Sequence, residues 1–246
     1  MCNGGIAIGA LAVADEEPDL ARWLLYRNIT NLPEAIASYA PDGAWAEGPG
    51  YWGYATRYTV AAFGGLLSAL GTDFGLSTLP GMAEAGQFRV SMVGPTGLFF
   101  NFADAGENAG ADASLFWLAR RYGRVLYAYS ERQYAGERGS YRDLLWYDDR
   151  GTESDLLALG TDARFEGADV VSMRSDWTDP DALYVGFKGG DNQANHSHLD
   201  LGTFVFDALG QRWAVELGPD NYNLPGYFGA ERYTLSLIHI SEPTRH

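Results

Sequence analysis

The sequence predicts an α+β protein, with helices in its first part and an antiparallel sheet in its second. Three observations carry that reading. Through the first two thirds of the 246 residues, apolar side chains recur at helical spacing in stretches separated by short Gly/Pro/Asp turns. Beyond about residue 160 the pattern gives way to short β-branched and aromatic runs bounded by turn residues. Helices before strands fit an α-domain followed by a β-domain, with the boundary near residues 150–165.

The elements follow in order. Ile6 to Ala14 is apolar with small residues and reads as a helix. Asp15-Glu16-Glu17-Pro18-Asp19 starts a second, because acids and proline suit a first turn, and Leu20, Trp23, Leu24 and Ile29 continue it. Pro33 to Tyr39 reads as a separate short amphipathic piece ended by Pro41-Asp42-Gly43. Tyr51 to Leu70 is the longest helical candidate, closed by Gly71. Leu115–Tyr122 and Tyr141–Trp146 are two more, and the set suggests stacked helical hairpins. Val170–Trp177 and Leu183–Lys188 read as strands around the turn Asp179-Pro180-Asp181. Thr203–Phe206, the turn Asp207-Ala208-Leu209-Gly210 and Arg212–Leu217 read as a hairpin.

Composition excludes some functions. At 46% hydrophobic and 14% aromatic the chain is a folded one, with ample length for a core. A formal charge of −15 and the lack of any Lys/Arg-rich run argue against nucleic acid as a partner. The same charge means that an anionic ligand must be met by a local basic or metal-bearing pocket. Cys2 is the single cysteine, so no internal disulfide forms. No apolar stretch reaches the roughly 18 residues of a membrane span. The chain opens directly inside an apolar, helix-like run, so a preceding segment is expected. Residues 235–246 resemble a translated sequencing adaptor and are set apart as non-native, with the natural chain expected to continue past Thr234.

Chemistry concentrates in Asn195-His196-Ser197-His198-Leu199-Asp200-Leu201-Gly202. Of four histidines, His239 and His246 lie in the adaptor-like tail, which leaves His196 and His198 one residue apart. Imidazole titrates nearest neutrality and is the commonest metal ligand. At this spacing the two share a face of a strand, and the β-forming Leu201–Phe206 that follows favours one. Glu216, expected on the second strand of the hairpin, folds back toward them, and Asp200 is the other nearby carboxylate, as a ligand or as a group orienting an imidazole. On the residues alone, a metal site and a metal-free acid/base pair both fit. A second constellation, Asp42-Gly43 through Glu47-Gly48-Pro49-Gly50-Tyr51 to Tyr54, sets two tyrosines three apart at a helix start. Taken alone, it also reads as a glycine-rich turn with aromatic packing. Arg174, Lys188 and Arg212 read as solvated charges, and Trp45, Trp52 and Tyr222 as packing aromatics that are also able to stack on sugar rings.

Together these segments resemble the heparinase II/III family of polysaccharide lyases. The resemblance rests on Gly189-Gly190, Asn195–Phe204, Gly210-Gln211-Arg212-Trp213 and Glu216-Leu217-Gly218, with Asp42–Tyr51 resembling the family's segment for its catalytic tyrosine. It implies an incomplete (α/α) toroid over residues 1–155 and an antiparallel, sandwich-like β domain over 156–234, both truncated. The implied reaction is β-elimination on a uronic-acid-containing glycan such as alginate or a glycosaminoglycan. By the same resemblance Tyr51, with Tyr54 as fallback, is the acid or acid/base, and His196 is the second base. Asn3 is the candidate to neutralise the substrate carboxylate. His198 and Glu216 match two ligands of a zinc ion (Zn2+), glutamate standing where the family usually has aspartate, and a third ligand is expected downstream of Tyr233. A periplasmic or secreted location is the family-level expectation. Two other functions remain open at this point. One is a glycan-binding protein of the same fold without catalysis. The other is a cupin-type metal-dependent oxygenase, whose motif starts like Gly190 to His196-Ser197-His198 but continues with a glutamate missing here.

Overall fold

The computed structural model describes residues 1–136 and 139–229; Tyr233 and the adaptor-like tail lie outside them. The chain gathers into two compact units that interleave along the sequence. The first comprises Met1–Ala44, Trp52–Val90 and Gly110–Leu159, and the second Trp45–Tyr51, Ser91–Ala109 and the chain from Gly160 onward.

Eight helices are described: α1 (Cys2–Ala12), α2 (Pro18–Ile36), α3 (Gly48–Leu70), α4 (Ala85–Ser91), α5 (Ser114–Tyr122), α6 (Val125–Ala135), α7 (Tyr141–Trp146) and α8 (Glu153–Leu157). In the first unit, neighbours in sequence pack together, α1 on α2 and α5 on α6. Its core is built from large buried side chains such as Trp52, Phe63, Leu66, Phe88, Phe116 and Tyr127. Pro33 does not end a helix, contrary to the sequence reading. α2 runs through it to Ile36 and finishes in a 3₁₀ turn, Ala37–Tyr39. Proline removes one backbone donor, but Leu32 and Ile36 are buried one turn apart and hold the segment helical on both sides. No membrane-length apolar helix is present among the described residues.

The second unit is organised by a five-stranded antiparallel meander: β1 (Asp162–Phe165), β2 (Val170–Arg174), β3 (Tyr184–Lys188), β4 (Phe204–Ala208) and β5 (Gln211–Ala214), in that spatial order. Alternation decides its faces. On β2 and β3, Val170, Ser172, Arg174, Tyr184, Gly186 and Lys188 point inward, while Met173 and Phe187 are exposed on the other side. The segment Ser91–Ala109 lies across the inward face. Gly186 lets the Phe100 ring press onto β3, where an added Cβ would sit 2.6 Å from ring atoms. β4 turns into β5 through Leu209 and Gly210, both at positive φ (54° and 69°), as a two-residue hairpin demands.

Three cations correct the sequence reading, which took them as solvated. Arg174 donates to the Val93 carbonyl at 2.9 Å and stacks 3.5 Å from the Trp177 ring centre. Arg212 grips Asp207 through Nε (2.6 Å) and Nη2 (3.2 Å) and also donates to the carbonyls of Leu98 and Phe99. Lys188 is 2% exposed and pairs with Asp200 at 2.6 Å. Each bonds a group distant in sequence, so local pattern carried no sign of it.

Candidate functional site

The site lies within the second unit and starts from backbone geometry. The loop between β3 and β4 is closed at its base by a backbone pair, Lys188 N–H to the Thr203 carbonyl (3.0 Å) and Gly202 N–H to the Lys188 carbonyl (2.8 Å). Within it Asp191 organises a turn: its carboxylate accepts from Gln193 N–H at 2.8 Å and its carbonyl from Ala194 N–H at 3.2 Å. The histidines are therefore held in an irregular loop, not on a strand as expected. His196 itself takes a left-handed φ of 55°. Glu216 likewise lies two residues past the end of β5, outside any strand, with its carbonyl accepting from Asn101 Nδ2 at 3.1 Å.

Asp104 sits at the centre. Its side chain has no exposure, and among the described residues each oxygen has two hydrogen-bond partners. Oδ2 faces His196 Nδ1 at 2.7 Å and accepts from the Tyr222 hydroxyl at 2.8 Å; Oδ1 faces His198 Nε2 at 2.9 Å and accepts from the Tyr227 hydroxyl at 3.0 Å. The preceding residue, Ala103, is at φ 58°, a second non-glycine in the left-handed region beside this network. Such positions are costly and cluster at functional sites.

Tyr51 arrives from a different part of the sequence. Gly48, at φ 86°, lies against the Phe102 carbonyl where a Cβ would collide, and this contact seats the first turn of α3 on the segment that carries Asp104. The Tyr51 ring then stacks on the His196 imidazole, centroids 3.9 Å apart and planes 21° from parallel. Its hydroxyl is 3.0 Å from that of Tyr222, giving a line of hydroxyls from Tyr51 through Tyr222 to Asp104. Burial, then the hydrogen bonds with Tyr51 and Asp104, push the Tyr222 phenol well above its ordinary range, so it remains a proton donor at physiological pH.

A group able to hold a metal stands beside this network. One ligand atom each from His198, Asp200 and Glu216 lies within 4.8 Å of the others. The fit can be tested on unmet bonding capacity. His198 Nδ1 and Asp200 Oδ2 are buried without a hydrogen-bond partner among the described residues. The second Asp200 oxygen is held by Lys188, and Glu216 is held by Thr203 Oγ1 and Gly218 N–H. One imidazole nitrogen and two carboxylates, each fixed from behind, suit a divalent ion, and Asp200 would stand as a third ligand beside the expected pair.

Sequence reasoning named Tyr51, His196, His198 and Glu216, and the second unit brings them together. Tyr54 and Asn3 belong to the first unit, Tyr54 on α3 edge-to-face with Tyr58 and Asn3 half-buried in the first turn of α1. Asp104 and Tyr227 were not anticipated, and Tyr222 was read only as packing or stacking. Of the other two aromatics read that way, Trp52 is buried in the core of the first unit, and Trp45 donates to Glu47 at 2.9 Å.

No family model matches the chain, and no curated protein does. Solved structures do match its fold. A heparinase III gene product aligns over 89% of this chain at a TM-score of 0.64 and 17% identity, and a mutant heparan sulfate lyase from Pedobacter heparinus over 89% at 0.65 and 17%. A further heparinase III aligns over 86% at 0.64 and 15%. The chain spans about a third of the length of each, 32–34%. Helices followed by a five-stranded antiparallel sheet are thus part of the heparinase III fold, as the resemblance implied.

Proposed function

We propose that this chain carries the acid/base centre of a polysaccharide lyase that cleaves a uronic-acid-containing glycan, of alginate or glycosaminoglycan type, by β-elimination. The observation that supports it best is the stacked pair Tyr51–His196 with Asp104 behind the imidazole: two proton-transfer groups meet at one place, one of them oriented by a buried carboxylate. His196 takes the C5 proton, the electrons of that bond form the C4–C5 double bond, and the C4–O4 bond breaks. O4 leaves with the departing sugar and takes a proton from the Tyr51 hydroxyl, whose oxygen is held 3.0 Å from the Tyr222 hydroxyl, itself donating to Asp104. His198, Asp200 and Glu216 would hold a divalent ion, which would supply positive charge beside this otherwise acidic centre. These steps draw on the second unit alone; Asn3 carries the carboxylate-neutralising role only by resemblance. Because such polymers lie outside the cytoplasm, the reading goes with a periplasmic or secreted protein.

The test is ultraviolet absorbance of the unsaturated uronate on alginate, heparan and chondroitin substrates. Tyr51→Phe and His196→Ala should each lower kcat by about 10²–10⁴-fold, the usual worth of a positioned acid or base. Retained binding of a polymer with no absorbance change on any of them would replace the lyase by a glycan-binding protein of the same fold. The oxygenase alternative finds no support in the architecture, since the sheet is an open meander with β1 and β5 at its edges.

A further inference from the structure

Two imidazoles face one carboxylate through different ring nitrogens, His196 through Nδ1 and His198 through Nε2. An ionised carboxylate only accepts hydrogen bonds, and a neutral imidazole has one N–H and one lone pair. Each ring must therefore point its N–H at Asp104, which leaves the two rings in opposite tautomers. The lone pair of His196 is then on Nε2. That of His198 is on Nδ1, the atom buried without a partner among the described residues. The two tyrosine hydroxyls occupy one further acceptor position on each oxygen, so the carboxylate is held against rotation as well.

We propose that Asp104 is a positioning residue that fixes complementary tautomers in the two imidazoles, so that a single buried carboxylate presents both the base His196 and the metal ligand His198. The metal site and the base are thereby coupled: a disturbance of Asp104 displaces both, whereas removal of one imidazole leaves the other oriented. The role of base given to His196 rests on the lyase reading. The tautomers and the dependence of metal affinity on Asp104 do not.

The deciding measurement is two-bond ¹⁵N–¹H correlation of the metal-free chain at about pH 8, where unperturbed imidazole is neutral. The chain carries His239→Gln and His246→Gln, so that two imidazoles remain. The expected spectrum shows His196 protonated on Nδ1 and His198 on Nε2; either ring in the other tautomer overturns the proposal. In parallel, calorimetric titration with Zn2+ should find Asp104→Asn about 10–100-fold weaker than the parent, the usual cost of losing a group behind a ligand. His196→Ala should bind as the parent does. Equal affinity for parent and Asp104→Asn also overturns it. If Asp104→Asn fails to fold by circular dichroism, the spectrum of the parent decides alone. Expected tautomers with no elimination on any polymer would remove the lyase reading and leave the assignment of Asp104 standing.

Discussion

Asp104 in the second unit and Glu131 in the first are both acids whose side chains are closed to solvent, yet their surroundings are opposite. Asp104 is met by two imidazoles and two phenols. Glu131, on α6, is pushed up to about 8 by burial and by the charges of Asp112 and Asp143, against the opposing pull of the Asp112 backbone amide and Arg89. Burial costs a carboxylate its charge unless the fold brings donors to it. Glu131 keeps a proton at neutral pH and acts as a packed neutral group. Asp104 has donors that are themselves chemically competent, and that separates a site from a buried acid.

The comparison can be broken most decisively at Asp104. Exchange for asparagine keeps the shape but puts a donor where an imidazole N–H already points. On the proposed reading, elimination activity should fall by about 10³–10⁴-fold, the size expected of a wrong tautomer; activity within tenfold of the parent would show that the hydrogen bonds of Asp104 only pack. Glu131→Gln should do the reverse, leaving activity alone and altering stability. The folded state raises the Glu131 pKa from 4.5 to about 8, so it binds the proton more tightly than the unfolded chain. That contribution is complete below the unfolded value, is lost as pH rises through the folded one, and is absent above it. The glutamine variant should therefore match the parent near pH 4 and exceed it above pH 8, by on the order of 4 kcal/mol. Denaturant unfolding at the two pH values checks this, and parallel curves would show that Glu131 is not charged by the change. The smallest effect is expected at Tyr222. Phenylalanine there removes one of the donors to Asp104 and interrupts the hydroxyl line to Tyr51, so stability should drop by about 1 kcal/mol. Turnover should fall more than substrate affinity, which a split of kcat from KM reads directly.

Much of the architecture was legible because period follows packing. α3, α5 and α7 and strands β2 to β5 stand where apolar spacing put them, within a few residues. α6 was not, since its inward positions include Ser130 and Glu131, which break the apolar stripe. Nor was β1, whose sequence Asp-Ala-Arg-Phe buries only Phe165 at the sheet edge. In the site, the histidines, Glu216 and Tyr51 were carried by local motifs. Asp104 has none: it stands alone in Asn101-Phe102-Ala103-Asp104-Ala105, with donors that lie more than ninety positions away. The signal available was its company, an acid inside a run buried from Phe99 to Ala105.

The left-handed backbone at His196 puts the fold and the chemistry in competition. Glycine accepts φ of 55° without steric cost, while a side chain pays roughly 1 kcal/mol or somewhat more there. Taken alone that strain favours His196→Gly, but the exchange also strips Asp104 of a donor and Tyr51 of its stacked ring, each worth about 1 kcal/mol, so selection for thermal resistance should not enrich it. Glycine at position 196 should begin to win only in a library built on a chain that already lacks both partners, Asp104 and Tyr51, which would show that the contacts of the imidazole hold the strained backbone in place.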